Sequence, residues 1–304
     1  MACEICGGTG WTVGERGATR CRCWVDQVTS RLLDDARIPP RYARCELNNF
    51  VVYPNEKLQN ALAQAKRFAA AFPATTKGLC LIGPPGIGKT HIAVSVLRQV
   101  ILEKRARGLF YDTRDLLRVI RSTYNPVVRT AEMDILRPVM EADLLVLDDL
   151  GAEKPSEWVE ETMNLIVNTR YNEKRPTIFT TNYIDIPDET DLDSLKVRVG
   201  FRMHSRLHEM CDFLEYDGGD FRMLPPNSGS QDLMDLWQMN KGRRALPSRT
   251  RGPARAQLGA PAATAPGTLG TMAQESQARA AVERAKRLAD PRDLKWPGGK
   301  AGRG

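Results

Sequence analysis

The 304-residue sequence has no apolar run that approaches the roughly 18 residues of a membrane-spanning helix. We expect no secretory signal peptide, and we detect no internal repeat. Histidine is scarce: His91, His204 and His208 have no partner at a spacing typical of metal ligands, so we assign none of them to a metal. From the lack of a long apolar run we expect no membrane-spanning helix, and we expect no membrane partner.

The net positive charge of the chain comes from its last 80 residues, whereas acidic and basic residues nearly balance in the first 224. Residues 225–304 contain 14 Lys and Arg against 6 Asp and Glu, a net charge of +8; since the whole chain carries +7, residues 1–224 carry −1. This stretch is rich in Pro, Ala, Gly, Ser and Thr, which predicts a mostly disordered basic tail with short helices over 233–239 and 274–289. Such a tail is either a solvated extension or a source of salt-sensitive affinity for nucleic acid.

The sequence GPPGIGKT, residues 83–90, follows the short apolar run 79–82 and precedes a stretch with helical periodicity. Such a run is typical of a strand buried on both faces, after which glycines let N–H groups turn toward an anion at the start of a helix. In a phosphate-binding loop, Lys89 reaches the β- and γ-phosphates and the Thr90 hydroxyl ligates Mg²⁺. We therefore predict that ATP is bound by Gly83, Pro84, Pro85, Gly86, Ile87, Gly88, Lys89, Thr90 and His91. The helix that follows should bury Ile92, Ala93, Val96, Leu97, Val100 and Ile101.

A second apolar run, residues 144–147, ends in two aspartates. Open α/β sheets keep their sites at the carboxyl ends of parallel strands, so both carboxylates should lie near the phosphate loop. Asp148 is predicted to hold Mg²⁺ through water, and Asp149 to orient or deprotonate the attacking water.

A third buried strand is predicted over residues 177–181, and Asn182 follows it. Asn182 is either a turn residue or a residue whose amide contacts the γ-phosphate or the attacking water. Further along the chain, Arg202 and Arg206 are four apart on one face of a predicted short helix. Each is either a solvated charge or an arginine finger, which reaches the nucleotide of a neighbouring subunit and stabilises the charge of phosphoryl transfer.

In this order, GPPGIGKTH, DLLVLDDLGAEK, RPTIFTTN and SRLHE resemble the AAA+ ATPases of the DnaC/DnaI helicase-loader and IstB transposition-helper group over about residues 38–224. The resemblance implies an α/β fold, a P-loop AAA+ three-layer αβα domain with a parallel sheet. It also implies the following roles: Walker A for Lys89 and Thr90, Walker B for Asp148 and Asp149, sensor 1 for Asn182, and arginine finger for Arg206 with Arg202 as second choice. Many AAA+ proteins have Asp-Glu at the Walker B end; the Asp-Asp pair of this chain favours slow hydrolysis.

The same resemblance implies an extra helical element, which here would cover residues 113–138. Its arginines, Arg114, Arg118, Arg121 and Arg129, either meet a phosphate backbone or line a solvated helix face. The family fold also suggests that Tyr42 and Phe50 cover the adenine, and Arg222 is a candidate substitute for a sensor 2 residue.

Four of the seven cysteines fall within the first 23 residues, as a Cys-x₂-Cys pair and, fourteen residues later, a Cys-x-Cys pair. Four thiolates suit tetrahedral Zn²⁺, and we predict a structural zinc knuckle on Cys3, Cys6, Cys21 and Cys23. An iron–sulfur cluster has the same ligands, and two disulfides remain an alternative for a secreted protein. Because nucleotide binding indicates a cytoplasmic protein with reduced thiols, we favour zinc.

These observations divide the chain into a four-cysteine zinc knuckle (1–30), a helical linker that begins the ATPase (31–75), an AAA+ ATPase domain (76–224) and the basic tail (225–304). We predict a slow P-loop ATPase that uses ATP and Mg²⁺, forms a homo-oligomer and is stimulated by DNA or a partner. Its predicted function is that of a DnaC-type loader, which binds single-stranded DNA and delivers a replicative helicase during DNA replication. The alternatives are an IstB-like helper of a transposase and a non-enzymatic, nucleotide-switched DNA-associated adaptor.

Overall fold

The computed structural model describes residues 3–14, 17–124, 131–187, 191–225 and 228–241. The predicted helix over 274–289 and Arg129 lie outside these ranges. The strands are β1 Trp11–Gly14, β2 Gly17–Arg20, β3 Gly78–Ile82, β4 Gly108–Asp112, β5 Leu144–Asp148, β6 Thr177–Thr181 and β7 Cys211–Glu215. The helices are α1 Arg22–Asp35, α2 Glu56–Ala71, α3 Lys89–Lys104, α4 Thr113–Ser122, α5 Glu132–Glu141, α6 Glu157–Asn172, α7 Leu195–Val199, α8 Phe201–Met210 and α9 Ser230–Lys241, with short 3-10 turns at Pro40–Tyr42 and Phe221–Met223.

The N-terminal segment is an antiparallel pair, β1 with β2, followed directly by α1. The Arg20 guanidinium lies 3.8 Å from the ring centroid of Trp11 and 4.2 Å from that of Trp24. Because cation–π contacts favour this arrangement on both sides, Arg20 fastens the strand pair to the first turn of α1. Further along α1, Leu32 and Leu33 pack against the main core.

The main sheet has five parallel strands in the order β4-β5-β6-β3-β7. All residues of β3, β5 and β6 are buried, as is typical of the inner strands of a parallel sheet covered on both faces. Successive residues point to opposite faces: Leu79 and Leu81 join one core cluster, whereas Cys80 and Ile82 join the other. The three buried strands predicted from the sequence are thus confirmed.

Helices cover both faces of the sheet. The buried sides of α2 and α3 pack on one face together with parts of α1 and α9, whereas α4 through α8 pack on the other. Every predicted buried position of α3 is buried, and the helix expected over 233–239 is present as α9. Together α4 and α5 form the helical element expected over 113–138. The result is the three-layer αβα, P-loop AAA+ fold predicted from the sequence.

The side chain of Arg170, on α6, ties two elements of the second face together. It is only 1 % exposed and donates hydrogen bonds to the carbonyl oxygens of Val139, Met140, Ala142 and Pro176 and to Thr177 Oγ1. Three of these carbonyls belong to the end of α5, where helix carbonyls lack partners and the helix dipole favours a cation. Arg170 therefore joins the end of α5 to the start of β6.

Strand order explains where a site can form. Strands β5, β6 and β3 are neighbours and parallel, so their carboxyl ends meet at one edge of the sheet. Asp148 and Asn182 therefore lie beside the loop that follows Ile82. No helix in the described part of the chain is both long and apolar enough to cross a bilayer.

Candidate functional site

The loop between β3 and α3 has the backbone of an anion-binding turn. Gly86 and Gly88 have φ angles of +81° and +94°, which other residues rarely adopt. A Cβ on Gly86 would lie 1.7 Å from Asp220 Oδ1, and one on Gly88 would lie 2.5 Å from Phe50 Cε2. Because helix α3 begins at Lys89, its free N–H groups face this loop. Both glycines are therefore required by conformation and by space.

Lys89 is buried beneath the loop. Its Nζ donates to the carbonyl oxygens of Gly83 and Pro84, both at 2.8 Å, and to Asn182 Oδ1 at 2.7 Å. Burial lowers the pKa of Lys89 to about 8, although the nearby carboxylates of Asp149 and Asp148 oppose the shift. The ammonium is thus held by neutral oxygens, and an anion in the loop would stabilise its charge.

Thr90 and Asp148 form the next part of the site. Thr90 Oγ1 lies 2.9 Å and 3.1 Å from the two carboxylate oxygens of Asp148, and Thr180 Oγ1 donates to Oδ1 at 2.6 Å. Burial raises the pKa of Asp148, whereas the hydrogen bonds from Thr180 and Thr90 lower it. Hydroxyl and carboxylate oxygens at this spacing are the ligands that Mg²⁺ prefers, so Thr90 and Asp148 fit this ion.

Asp149 is linked to the loop lysine through Asn182. The Asn182 Nδ2 donates to Asp149 Oδ1 at 2.6 Å while its Oδ1 accepts from Lys89, and Arg114 Nη2 lies 3.3 Å from Asp149 Oδ2. Asp149 itself has a left-handed backbone with φ of +58°. Four polar side chains therefore form one continuous polar network, in the order Lys89, Asn182, Asp149 and Arg114.

A cavity of about 570 Å³ opens beside this polar network. Its polar part is lined by the phosphate loop, Asp148, Asp149 and Asn182, and its other part by Tyr42, Phe50 and Val51 among others. A volume of this size and mixed lining suits a bound nucleotide. The role of Tyr42 and Phe50 as an adenine cover stays a prediction, although both line the cavity.

His91 lies at the edge of this cavity. Its Nε2 is 3.0 Å from Asn49 Oδ1 and 3.2 Å from the Glu46 carbonyl oxygen, and its ring makes an edge contact with Phe50. Burial lowers the pKa of His91. The imidazole therefore anchors the segment that carries Phe50.

Of one wall of the cavity, the sequence predicted only Arg222, whose role as a sensor 2 substitute stays a prediction. The segment after β7 returns to the phosphate loop: Phe221 N donates to the Gly86 carbonyl at 3.1 Å, and Gly219 N donates to Tyr53 Oη at 3.2 Å. Arg222 and Leu233 line the cavity from this side. The paired glycines 218 and 219 indicate a place where two backbone segments approach closely. For Leu233, the sequence predicts a helix but gives no indication that this residue lines the cavity.

The candidate arginine fingers lie elsewhere. Arg206, on α8, donates to the Arg202 carbonyl at 3.1 Å, and neither residue lines the cavity. Two arginines of the helical element have partners within the described residues: Arg118 pairs with Asp115 at 2.9 Å, and Arg121 lies over Trp158 at 4.4 Å.

The four N-terminal cysteines converge. Cys6 Sγ lies 3.4 Å from Cys23 Sγ, Cys3 Sγ lies 3.9 Å from Cys21 Sγ, and all four sulfur atoms are within 4.8 Å of one another. Zinc–sulfur bonds of about 2.3 Å in a tetrahedron separate sulfurs by about 3.8 Å, so the cluster fits this ion. The Gly10 N–H, 3.3 Å from Cys6 Sγ, is the main cause that lowers the pKa of Cys6 to about 6 and favours its thiolate.

A second cluster corrects the sequence-based statement about histidine. His204 and His208 are one helical turn apart on α8, and their Nε2 atoms converge with the Asp185 carboxylate in a group that could hold a metal ion. The statement that no histidine has a partner at ligand spacing was therefore wrong. The four-residue spacing was visible in the sequence, but Asp185 joins the pair only through the tertiary fold.

Comparisons with known proteins agree with this geometry. Residues 40–187 match the model of the family IstB-like ATP binding protein. The chain is 28 % identical over 152 residues to the replicative helicase loader DnaC of Escherichia coli K12, which covers 50 % of this chain and 61 % of that protein. The corresponding loader of Buchnera aphidicola from Baizongia pistaciae is 27 % identical over 177 residues, with 58 % and 68 % covered.

A crystal structure of the DnaC helicase loader superimposes with a TM-score of 0.52 and 34 % identity, and the match covers 58 % of this chain and 99 % of that one. The chain spans about three fifths of the full length of the E. coli relative, 61 %. The chain thus belongs to the IstB-like ATP-binding proteins, within the AAA+ group that includes the DnaC helicase loaders.

Proposed function

We propose that this protein hydrolyses ATP at the cavity beside the phosphate loop. Lys89 and the loop amides bind the β- and γ-phosphates, and Thr90 with Asp148 holds Mg²⁺. Asp149 orients or deprotonates the attacking water, and Asn182 contacts that water or the γ-phosphate. The observation that carries the proposal is the convergence of Lys89, the Thr90–Asp148 pair and the Asn182–Asp149 pair on one cavity.

Hydrolysis is proposed to need a neighbouring subunit. Arg206 does not line the cavity of its own chain, which supports a role at the site of another copy in a homo-oligomer. There its guanidinium would stabilise the negative charge of the transition state, a contribution of about 10³ to 10⁵ in rate. Arg202, four residues earlier on the same helix, is the second candidate.

Mixing two inactive variants tests this arrangement. Lys89→Ala lacks phosphate binding but keeps Arg206, whereas Arg206→Ala keeps the phosphate loop but lacks the arginine. If the arginine acts between subunits, mixing the two proteins restores activity, since one supplies the loop and the other the cation. An Arg206→Ala protein that hydrolyses ATP at the wild-type rate removes the arginine assignment. Arg202→Ala, on the same helix, is the matched comparison.

The proposed biological role is that of a DnaC-type loader, which uses ATP to deliver a replicative helicase to single-stranded DNA. Similarity to the replicative helicase loaders named DnaC supports this choice. The match to the IstB-like family favours a second candidate, an ATPase helper of a transposase. The purified chain, with ATP, should form a complex with the replicative helicase of its host and stimulate unwinding of DNA coated with single-strand-binding protein. Complex formation with a transposase instead would favour the second candidate, and undetectable hydrolysis with DNA and partner would favour an adaptor.

The N-terminal cluster is proposed to bind structural zinc. Cys3, Cys6, Cys21 and Cys23 supply all four ligands of a closed tetrahedral site, which leaves no position for chemistry. A knuckle this small gains its folding energy from the metal. Metal analysis of the purified chain should find zinc that is lost in Cys6→Ser; iron with inorganic sulfide would instead indicate a cluster.

A further inference from the structure

A compact group of metal-ligating side chains lies away from both sites described above. Asp185 belongs to the segment after β6, whereas His204 and His208 project from α8. His204 Nε2 lies 2.7 Å from Asp185 Oδ1, His208 Nε2 lies 3.1 Å from Oδ2, and the two Nε2 atoms are 3.3 Å apart. Two imidazoles and one carboxylate therefore direct their ligand atoms at one point.

These separations are close to those of ligands around a small divalent ion. Zinc–nitrogen bonds of about 2.0 to 2.1 Å in a tetrahedron place neighbouring ligand atoms about 3.3 Å apart. The separation between the two imidazole nitrogens already has this value, and the shorter distances to Asp185 are hydrogen bonds that a metal would replace. Binding through Asp185 Oδ1 thus requires the separation between this oxygen and His204 Nε2 to widen by about 0.6 Å.

The side chains are also held in this orientation by their surroundings. The His208 ring stacks on Phe213, with centroids 4.2 Å apart and an interplanar angle of 11°. Side chains of His204 and Asp185 are 15 % and 23 % exposed, whereas His208 is 47 % exposed. A ligand set that is ordered on one side and open on the other leaves room for a water ligand and for entry of the ion.

We propose that Asp185, His204 and His208 bind a divalent transition-metal ion of the zinc class, through one carboxylate oxygen and two Nε2 atoms, with water completing the coordination. Two histidines four apart on a helix are a recurrent zinc-binding arrangement, and imidazole ligands disfavour Mg²⁺ and Ca²⁺. The ion would cross-link the segment that carries Asn182 to the helix that carries Arg206. The inference stands independently of the proposed function.

Metal stoichiometry in the full chain tests the site. Each protein is equilibrated with Zn²⁺, freed of unbound ion and analysed by mass spectrometry, in wild type, His208→Gln, Asp185→Asn and His91→Gln. We expect His208→Gln and Asp185→Asn each to hold one ion per chain fewer than wild type. This difference does not depend on how many ions the N-terminal cysteines bind. His91→Gln removes the remaining histidine and should match wild type.

Titration with Co²⁺ of the zinc-loaded His208→Gln chain and of its zinc-loaded wild-type counterpart separates the two clusters. Thiolate ligands give Co²⁺ intense charge-transfer bands, whereas imidazole and carboxylate ligands do not. Replacement of Zn²⁺ by Co²⁺ at the histidine site should therefore change the visible spectrum without adding charge-transfer bands. Loss of one ligand should weaken binding at this site at least tenfold, the lower bound for loss of a supporting partner. Because the His208 side chain is half exposed, we expect the His208→Gln protein to fold. Equal ion counts in wild type, His208→Gln and Asp185→Asn would overturn the proposal, as would an unchanged Co²⁺ affinity.

Discussion

The pKa of Lys89 makes nucleotide affinity depend on pH over an unusual range. An ordinary lysine stays charged to pH 10, but burial beneath the phosphate loop lowers the pKa of Lys89 to about 8. Only the charged ammonium can neutralise a triphosphate. Raising the pH from 7 to 9 should therefore weaken binding of Mg²⁺–ATP, although the charge of the nucleotide hardly changes over most of this interval.

The size of the effect follows from the fraction of chains with a charged Lys89. With a pKa of about 8, this fraction is about nine-tenths at pH 7 and about one-tenth at pH 9. Since the apparent Kd equals the intrinsic Kd divided by the competent fraction, it should rise about tenfold. Stability should change in the opposite direction: the unfolded chain binds more protons between pH 8 and 10.5, so the free energy of unfolding rises there.

Fluorescent ATP titrations at fixed free Mg²⁺, from pH 7 to pH 9, measure this dependence. The control is Lys89→Arg, whose guanidinium stays charged throughout; its Kd, whatever its absolute value, should be flat. A wild-type Kd that is also flat would refute the argument from burial. If both proteins weakened equally, the titrating group would be a different one.

Three other perturbations follow from contacts in the structure. Gly88→Ala forces a side chain onto a φ of +94° and into Phe50, so ATP affinity should fall at least tenfold while circular dichroism stays native. Arg170→Met leaves buried carbonyl oxygens at the end of α5 without donors, and urea unfolding should show a loss of about 3 kcal/mol or more; a loss below about 1 kcal/mol would contradict its role. Chelation of a knuckle zinc should release the Arg20 contacts, so tryptophan fluorescence should change in wild type but not in Cys6→Ser.

The phosphate-loop side of the site could be predicted from the sequence because its information is local. Strands β3 and β5 are short and mostly apolar, and β6 is a short run of threonine, isoleucine and phenylalanine. Parallel strands bring the phosphate loop, Asp148 and Asn182, which stand at or directly after the ends of these strands, to one edge of the sheet. The sequence therefore predicts that Lys89, Asp148 and Asn182 lie together. The buried face of α3 could be predicted for the same reason, since helical periodicity is a local pattern.

The remaining parts depend on contacts between distant segments. Asp220 packs against Gly86 across more than 130 residues of chain, and nothing local in either segment indicates its partner. The same holds for the group of Asp185, His204 and His208. The four-residue spacing of the two histidines is visible in the sequence, but Asp185 reaches them only because the segment after β6 folds back toward α8. Arg114 was predicted to meet either phosphate or solvent, whereas its guanidinium lies against Asp149.

The segment after β6 connects the nucleotide site to the helix of the candidate arginine finger. Asn182, at its start, hydrogen-bonds to Lys89 and Asp149, and Asp185, three residues later, holds both histidines of α8. When a γ-phosphate accepts hydrogen bonds from the Lys89 ammonium, the Asn182 Oδ1 loses its hydrogen bond to Lys89. The Asn182 amide must then form a different hydrogen bond. Because so few residues separate the two contacts, we expect this change to alter the position of α8. If Arg206 acts at a neighbouring subunit, as proposed, the nucleotide bound by one subunit would thereby control the position of that arginine. A metal ion on Asp185 would make the connection stiffer.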